Sequence, residues 1–332
     1  MALYLGPGDL ERLFTQRLVD VSDCIDAVES SFREHGMQQV GLLPRQILWA
    51  DAHPATTRAR ALKLSASYMR GSRVMGASLY SVQYRPGDID MWITVFSGES
   101  GRMQGILHGK ALSLWKTAAT AAVAARHMAR ADAHRAALIG TGRYARHQLL
   151  ALAAVRPLSQ VRCYSRDAAR LREFVEWAAE ALPQLSVVAA MSVEQAVRDA
   201  HIIVTITTSP SPVLKGAWIS AGAHCNAMGQ HAPNNRELDS QAIVEARVVV
   251  DSFEQALGEK GEILLPIAEG VFARQDIAGE LGAVVAGRVR GRLADEDKSV
   301  FCSGGTALEY MGLCELLLQR AGAAGIGQEL RD

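Results

Sequence analysis

A glycine-containing segment near the middle of the chain has the residue types and the spacing that bind a dinucleotide. The pattern G-x-G-x-x-A follows the apolar run Ala136–Ile139 and precedes a helix-compatible run from about Tyr144. Its first glycine permits a sharp turn, its second lets bare backbone approach a pyrophosphate, and its small last residue packs the helix against the strand. The helix N-terminus then presents unpaired N–H groups to the anion. We therefore predict cofactor contacts along this turn, at Gly140, Thr141, Gly142, Arg143, Tyr144 and Ala145.

The residues after the next predicted strand bear on which cofactor is bound. Val161–Tyr164 is followed by Ser165, Arg166 and Asp167. A carboxylate at this place hydrogen-bonds the ribose 2′-hydroxyl of NAD, whereas a guanidinium accommodates the 2′-phosphate of NADP. Ser165 and Arg166 therefore favour NADP(H) over NAD(H), and Arg143 and Arg146, in and just after the glycine turn, add positive charge on the same side. A shift of one residue would bring Asp167 to the ribose and restore NAD.

Three cations outside this region are candidates for binding a substrate carboxylate. Arg45, Lys63 and Lys116 all fall in the part of the chain that does not alternate strand and helix. A guanidinium fork or an ammonium group binds the carboxylate that an α-imino acid presents. Taken one at a time, each of them is better explained as an exposed surface charge.

The elements that must position these residues belong to two regions with different sequence patterns. Apolar residues at helical spacing predict helices over 9–35, with Ser22 as a helix cap, and an alanine-rich helix follows at 112–129. Between them, short alternating runs predict a mostly antiparallel sheet. From 136 onward, strands alternate with helices, and runs such as Ile202–Val204 are typical of a parallel sheet buried on both faces. The predicted strands are Gln46–Trp49, Ala61–Ser67, Ala77–Gln83, Met91–Phe96, Met103–Leu107, Ser186–Ala189, His201–Thr205, His224–Met228 and Val248–Asp251. The predicted helices of the second region and the C-terminus are Phe174–Leu182, Val193–Ala200 and Thr306–Leu318, and the glycine-rich tail from Gly322 to Gly327 is expected to be loose.

Composition excludes several classes of protein. The 332 residues suggest about two domains, and 35 basic residues balance 35 acidic ones, so nothing steers the chain to nucleic acid or to an anionic membrane. The five cysteines are widely spaced, which argues for reduced thiols and against a disulfide framework or a zinc site. With neither a basic leader nor a long apolar run, we expect a cytoplasmic α/β protein without a bound metal.

Several segments together resemble the ornithine cyclodeaminase/mu-crystallin family over nearly the whole chain. They occur in the family's order: Pro44-Arg45, Lys63-Leu64, Trp115-Lys116-Thr117-Ala118-Ala119, Gly140-Thr141-Gly142 with Gln148, Thr205-Ile206-Thr207-Thr208-Ser209, Gly222-Ala223-His224-Cys225-Asn226-Ala227-Met228-Gly229, Arg236-Glu237-Leu238-Asp239 and Gly305-Thr306-Ala307-Leu308-Glu309. The resemblance implies a Rossmann-type doubly wound domain at 117–304 and an α+β substrate-binding and dimerisation domain at 1–116 and 305–332. It also implies hydride transfer at a carbon that bears nitrogen, in a homodimer.

The resemblance extends to individual residues. It implies that Arg45 binds the substrate carboxylate and that Lys63 is the active-site lysine. It further implies cofactor contacts at Thr205, Thr207, Thr208, Met228, Ser303 and Gly304. His224 lies in the strand of the same family motif, where we interpret it as a positional residue.

Two departures from the family pattern affect the predicted activity. Lys116 stands where the family has arginine, which keeps the charge but loses the two-pronged geometry. His231 stands where the cyclodeaminases have a catalytic aspartate that supports amine addition and elimination. A histidine titrates near neutral pH and can deliver a proton to an imine or amine nitrogen, although a loop histidine on the surface is as compatible with the sequence.

These observations favour an NAD(P)H-dependent reductase of a small imine, a ketimine or a cyclic imino acid. In this hypothesis Lys63 and His231 are catalytic, and Arg45, Lys63 and Lys116 bind the substrate. Two alternatives stay open: an ornithine cyclodeaminase or related amino-acid dehydrogenase, and a non-catalytic protein that binds NADPH and a small ligand.

Overall fold

The chain divides into two compact units, and one of them is built from both ends of the sequence. The computed structural model describes residues 2–50, 60–82 and 89–330. Unit 1 comprises Met1–Lys116 and Thr306–Asp332, and unit 2 comprises Thr117–Gly305. The roles that the sequence suggests for the two units stay predictions.

Unit 1 contains a seven-stranded sheet and the helices that cover one of its faces. Its elements in chain order are β1 (Ala2–Leu5), α1 (Pro7–Thr15), α2 (Val21–Gly36), β2 (Val40–Trp49), β3 (Ala61–Met69), β4 (Val74–Val82), β5 (Ile89–Ser97), β6 (Met103–His108) and the first part of α3 (Gly109–Met128).

The sheet of unit 1 has the strand order β15-β1-β6-β5-β4-β3-β2, where β15 is the C-terminal strand Gln328–Leu330. Strands β2 to β6 form an antiparallel meander, as the alternating pattern predicts. Strand β1 runs parallel to β6 and antiparallel to β15. Helix α11 (Leu308–Ala324) packs against β3, β4 and β5.

Two local expectations for unit 1 are wrong. Helix α2 is capped by Asp20, whose Oδ1 accepts the Asp23 N–H at 2.9 Å, and not by Ser22. The carboxylate is the better acceptor at the position that precedes the helix, and Asp23 returns a second bond to the Asp20 N–H.

The glycine-rich tail is also ordered, contrary to expectation. Gly322 belongs to α11, and Gly325 ends that helix with a positive φ of 63°. Ile326 is buried, which anchors the following strand β15 against β1. These glycines serve a helix end and a close strand approach, and they do not make a loose segment.

Unit 2 is an eight-stranded, wholly parallel sheet with helices in the connections. Its strands are β7 (Arg135–Ile139), β8 (Gln160–Tyr164), β9 (Ser186–Ala189), β10 (Ile202–Thr205), β11 (His224–Ala227), β12 (Ala246–Val250), β13 (Ile277–Glu280) and β14 (Lys298–Cys302). Its helices beyond α3 are α4 (Ala145–Val155), α5 (Ala168–Ala181), α6 (Val193–Val197), α7 (Ser240–Val244), α8 (Phe253–Glu259), α9 (Gly261–Ala268) and α10 (Leu281–Val285).

The strand order of unit 2 is β13-β12-β14-β11-β10-β7-β8-β9. The chain starts at β7, builds outward through β8 and β9, and then returns to place β10 on the other side of β7. This reversal between β7 and β10 is the place where doubly wound sheets bind dinucleotides. The predicted fold class, a Rossmann-type domain plus a second α+β domain, is confirmed.

Most predicted elements are present with shifted ends, and several elements were missed. Strand β4 begins three residues before the predicted Ala77 and its predicted end, Gln83, lies outside the described residues. Helix α6 ends at Val197 and does not reach Ala200. Strands β1, β13, β14 and β15 and the short helices α7 to α10 have no counterpart among the predicted elements.

The described residues lack two features that would indicate other kinds of protein. None of their helices combines the length and the apolar character that crossing a membrane requires. They also hold no group of three His, Cys, Asp or Glu side chains that could bind a metal ion. All five cysteines are unpaired and buried.

Candidate functional site

The glycine turn after β7 has the geometry that its sequence predicts. Gly140 has a positive φ of 105°, and a Cβ at this position would lie 2.7 Å from the backbone oxygen of Ile206. Only glycine fits there. A Cβ built on Gly142, in contrast, would have no atom within 4 Å, so this position faces open space. Ala145 is fully buried where α4 begins.

The surroundings of the turn fit a dinucleotide phosphate. The hydroxyl oxygen of Thr141 is buried and has no hydrogen-bond partner among the described residues, as expected of a group that awaits a ligand. A cavity of about 500 Å³ opens beside it. The cavity is lined by Thr141, Gly142, Arg143, Arg146, Arg170, Glu173 and Phe174. Sequence reasoning named the first four of these residues and missed Arg170, which is on α5.

At the end of β8, the Asp167 side chain caps the helix that follows it. Its Oδ1 accepts the N–H groups of Ala169 and Arg170, each at 3.1 Å, as the cap of α5. Its Oδ2 lies 3.2 Å from Nε of Arg170. Ser165 accepts the Asp167 N–H through its hydroxyl, and Arg166 is exposed. Which form of the cofactor Ser165, Arg166 and Asp167 favour stays a prediction.

The loops after β10 and β11 are held by a glutamate that sequence reasoning quoted in a motif but gave no role. The Glu237 carboxylate accepts the hydroxyl of Thr205 at 2.9 Å and the backbone N–H of Thr207 at 2.6 Å. The Thr205 hydroxyl, predicted to contact the cofactor, is thus buried and already bonded. Thr208 is exposed and Met228 is buried, and both stay predictions as cofactor contacts.

A second carboxylate acts in the same way after β12 and β14. The Asp251 side chain, fully buried, accepts the hydroxyl of Ser303 at 3.2 Å and the N–H of Gly305 at 2.5 Å. The segment that contains Gly304 is thereby fixed at the carboxyl end of the sheet. The predicted role of Ser303 and Gly304 in cofactor binding stays a prediction.

Two of the three candidate cations of unit 1 lie against one aromatic ring. Lys63 on β3 faces Tyr80 on β4 in the strand register, and the Lys63 Nζ is 6.0 Å from the centre of that ring. The guanidinium carbon of Arg45 is also 6.0 Å from it. The structure therefore brings Arg45 and Lys63 together around Tyr80, a residue that sequence reasoning missed.

Lys116 does not present an unpaired charge. Its Nζ lies 3.3 Å from Oε2 of Glu309, and both side chains are buried. The same carboxylate oxygen accepts the N–H of Thr306 at 2.7 Å and its hydroxyl at 2.9 Å. Lys116 stays a predicted ligand of the substrate carboxylate. Its charge is offset by the buried Glu309 carboxylate.

The histidines differ in what they can do. His224 is fully buried, with Nδ1 2.9 Å from the Ser299 hydroxyl and Nε2 3.0 Å from Oδ1 of Asn226. Burial lowers the pKa of His224 to about 3, despite the opposing hydrogen bond with Asn226. This side chain is neutral and structural, consistent with its positional interpretation. His231 is exposed in the loop after β11, and its catalytic role stays a prediction.

A parallel doubly wound sheet with an open glycine turn defines a dinucleotide-binding protein, and comparison with known proteins narrows the class. The family model "Ornithine cyclodeaminase/mu-crystallin family" matches residues 12–323. The chain is 35% identical over 233 residues to a Delta(1)-pyrroline-2-carboxylate reductase of Bacillus cereus, covering 70% of this chain and 71% of the relative.

Two solved structures match over almost their full length. The first is Delta(1)-pyrroline-2-carboxylate reductase of Thermococcus litoralis in complex with NADH and L-proline, with a TM-score of 0.90, 28% identity, and coverage of 99% of this chain and 100% of that one. The second is an archaeal alanine dehydrogenase dimer with bound NAD, with a TM-score of 0.89, 25% identity and 99% coverage of both chains. This chain belongs to the ornithine cyclodeaminase/mu-crystallin family, as its motifs predict.

Proposed function

We propose that this protein is a nicotinamide-dependent reductase of a small cyclic imino acid, of the kind that Delta(1)-pyrroline-2-carboxylate represents. The enzyme class, an oxidoreductase that acts on C=N bonds, agrees with the sequence prediction and with the reductases among its relatives. The observation that carries the proposal is the pair of cations, Arg45 and Lys63, around Tyr80. One carboxylate is the group that such a pair binds.

Each of these residues has a separate role in the proposed reaction. A reduced nicotinamide supplies a hydride when it is bound at the glycine turn. Arg45 and Lys63 hold the substrate carboxylate, and their charge draws electron density from the adjacent C=N bond. Lys116 contributes less to this charge because Glu309 is 3.3 Å from it. His231, or the Lys63 ammonium group, holds the proton that ends on the nitrogen.

The two alternative functions lack comparable support. A cyclodeaminase needs a carboxylate for amine addition and elimination, and in this chain that place is taken by His231. A non-catalytic binding protein has no need for two cations at one ring. The pair of cations at Tyr80 supports a ligand with a single carboxylate, and the relatives that reduce imines support a C=N bond in that ligand.

The proposed activity can be measured by the loss of reduced nicotinamide absorbance with a panel of substrates. We expect turnover with five- and six-membered cyclic imino acids. Pyruvate with ammonia tests the dehydrogenase alternative, and ammonia release from ornithine tests the cyclodeaminase alternative. Turnover of either of these in place of the cyclic imines would overturn the substrate assignment, and tight cofactor binding without turnover of any imine would overturn the activity.

We propose that NADP(H) is the preferred cofactor, although the two solved relatives above were determined with NADH and NAD. Arg143, Arg146 and Arg170 line one cavity beside the glycine turn, with Glu173 as the only acid among its lining residues. Three guanidinium groups exceed what an uncharged ribose hydroxyl needs and suit a phosphate. The Asp167 carboxylate accepts two N–H groups and lies 3.2 Å from Nε of Arg170, so these partners offset part of the repulsion that it would exert on that phosphate.

Arg170→Ala should weaken NADPH binding by about tenfold and leave NADH binding nearly unchanged, because it removes one charge-assisted contact to the 2′-phosphate. Dissociation constants for both cofactors are compared by fluorescence titration. Arg172→Ala is the matched control, since Arg172 lies on the same helix, is exposed and does not line the cavity. Arg166→Ala tests the residue that the sequence favoured. Equal affinities of the wild-type protein for both cofactors, unchanged in all variants, would contradict the preference.

We also propose a homodimer formed through the uncovered face of the unit 1 sheet. Leu48 pairs with Leu62, and Leu64 pairs with Leu79, so these side chains share one face. The opposite face carries Gly76, where an added Cβ would lie 2.9 Å from Met311 Sδ of α11. Leu48 is 70% exposed, and an apolar patch of this kind marks an interface. A second copy is the proposed partner, as in the alanine dehydrogenase dimer. The cytoplasmic location stays a prediction.

A further inference from the structure

Unit 2 contains three charged side chains that are completely buried beside the carboxyl ends of β10 and β11. Glu237, Lys260 and Glu262 each have 0% of their surface exposed. Buried charges are stable only when they are paired and hydrogen-bonded. Their contacts show how these three side chains connect the loops that follow the two strands.

The carboxylate of Glu237 connects two loops. One oxygen accepts the N–H of Thr207, at 2.6 Å, in the loop after β10. The other accepts the Thr205 hydroxyl at 2.9 Å and the N–H of Gly229 at 2.7 Å, in the loop after β11. The two loops also touch directly, because a Cβ on Gly229 would lie 2.3 Å from the Thr207 backbone oxygen. A single side chain therefore fixes the distance between them.

Lys260 and Glu262 close the network from the other side. The Lys260 ammonium donates to the backbone oxygens of Ala227, at 3.1 Å, and Gln230, at 2.8 Å, on both sides of Gly229. It lies 3.2 Å from Oε2 of Glu262, whose Oε1 accepts the N–H of Glu237 at 2.7 Å. Burial lowers the pKa of Lys260, but the facing carboxylates, Glu262 first, outweigh it and raise the pKa overall. Lys260 is accordingly charged at neutral pH.

The network adjoins the residues that the proposed function uses. The loop after β10 reaches the glycine turn, because a Cβ on Gly140 would lie 2.7 Å from the Ile206 backbone oxygen. It carries Thr207 and Thr208. The loop after β11 carries Met228 and leads directly from Gln230 to His231. These four residues are predicted cofactor or proton-transfer residues. None of them contributes a charged side chain to the network, which Thr207 joins through its backbone N–H.

We propose that Glu237 is a positioning residue whose carboxylate sets the separation of these two loops for cofactor binding. The inference rests on the proposed function, since that function assigns the loops to the cofactor. A neutral amide cannot replace the carboxylate, because both oxygens accept hydrogen bonds and an NH₂ group would face a donor. The loops would then separate or rotate, although the strands that carry them stay paired.

The test is Glu237→Gln, compared with Asp239→Asn as a matched control. Asp239 is two residues away and caps α7, with its Oδ1 accepting the N–H groups of Ala242 and Gly216, each at 2.9 Å. Glu237→Gln loses one of two accepting oxygens and is expected to lower the unfolding temperature. In Asp239→Asn the amide oxygen can keep both bonds, so this variant controls for the loss of a nearby negative charge. Only Glu237→Gln should also weaken cofactor binding, by about tenfold or more.

The second readout does not depend on the cofactor. In the ligand-free protein, amide hydrogen exchange of the 205–208 and 229–231 segments should accelerate in Glu237→Gln and stay unchanged in Asp239→Asn. If Glu237→Gln does not fold, Thr205→Val takes its place. It removes one of the three donors and neither backbone bond, so hydrogen exchange of the same segments should accelerate by a smaller amount. Unchanged exchange in both loops overturns the positioning role.

The two measurements also separate this proposal from the proposed function. If exchange accelerates in Glu237→Gln but the wild-type protein binds no dinucleotide, the proposed function and the assignment of the loops to the cofactor are overturned. Cofactor affinity in Glu237→Gln within threefold of wild type would overturn the positioning role alone. An equal loss of affinity in Asp239→Asn would do the same, because the effect would then follow from the loss of a nearby negative charge.

Discussion

Lys63→Ala should lower kcat/KM for the imine substrate by two to three orders of magnitude. Lys63 and Arg45 both lie 6.0 Å from the Tyr80 ring centre, so the substitution halves the charge at the proposed carboxylate site. Removing one partner of a desolvated charge pair costs about 2–5 kcal/mol. Lys116 should not compensate, because its ammonium group is 3.3 Å from the buried Glu309 carboxylate.

The measurement is steady-state kinetics with the best imine of the substrate panel, together with cofactor titration. Cofactor affinity should stay close to wild type, since the role proposed for Lys63 is to bind the substrate carboxylate. Arg70→Ala is the control, because Arg70 follows the other end of the same strand and is exposed. A Lys63→Ala enzyme within threefold of wild type would exclude Lys63 from binding or catalysis.

Gly142→Val should abolish measurable cofactor binding and leave the protein folded. The structure shows why both outcomes are expected together. A Cβ at Gly142 meets no protein atom within 4 Å and its φ is not positive, so the fold tolerates a side chain. The open space is where the backbone is expected to approach the pyrophosphate, and a branched side chain would fill it. A loss of about 2.7 kcal/mol or more corresponds to at least a hundredfold weaker binding.

Calorimetric titration with NADPH and NADH measures the affinity, and thermal unfolding checks the fold. Gly258→Val is a suitable control, because Gly258 belongs to the same unit and a Cβ there also meets nothing within 4 Å. It should bind cofactor like the wild-type protein. Wild-type affinity in Gly142→Val would mean that the glycine turn is not the phosphate site.

The sequence predicted those parts of the fold that depend on local patterns. The run Ile202–Val204 indicated a strand buried on both faces, and it pairs with β7 and β11 inside the parallel sheet. Gly140 and Gly142 indicated a turn between strand and helix because steric requirements act over a few residues only. The alternation from Ala61 to Ser67 likewise predicted β3, whose odd-numbered residues are the more buried ones.

Charged contacts between distant residues could not be predicted in this way. Glu237 bonds to Thr205, 32 residues earlier, and Lys116 pairs with Glu309 on a helix near the other end of the chain. A glutamate next to an arginine in a loop has the sequence signature of an exposed charge. The only signals were the position of Glu237 in a family motif and that of Glu262 before the apolar run Ile263–Leu265.

Short elements were missed for a related reason. Strand β15 has three residues, and its existence depends on β1, more than 300 residues earlier in the chain. Helix α9 contains Pro266, which normally argues against a helix interior. In both cases tertiary packing decides the structure, and a local pattern reports little of it.

The discontinuous composition of unit 1 has a consequence for the order of events during protein synthesis. Strands β1 to β6 leave the ribosome early, but helix α11, which covers their inner face, follows only after about 190 residues of unit 2. At about 5–20 residues per second, this face waits roughly 10 to 40 s for its cover. Unit 2 is contiguous and can fold in that interval. We therefore expect chaperones to bind the uncovered sheet of unit 1 in the nascent chain, rather than the parallel sheet of unit 2.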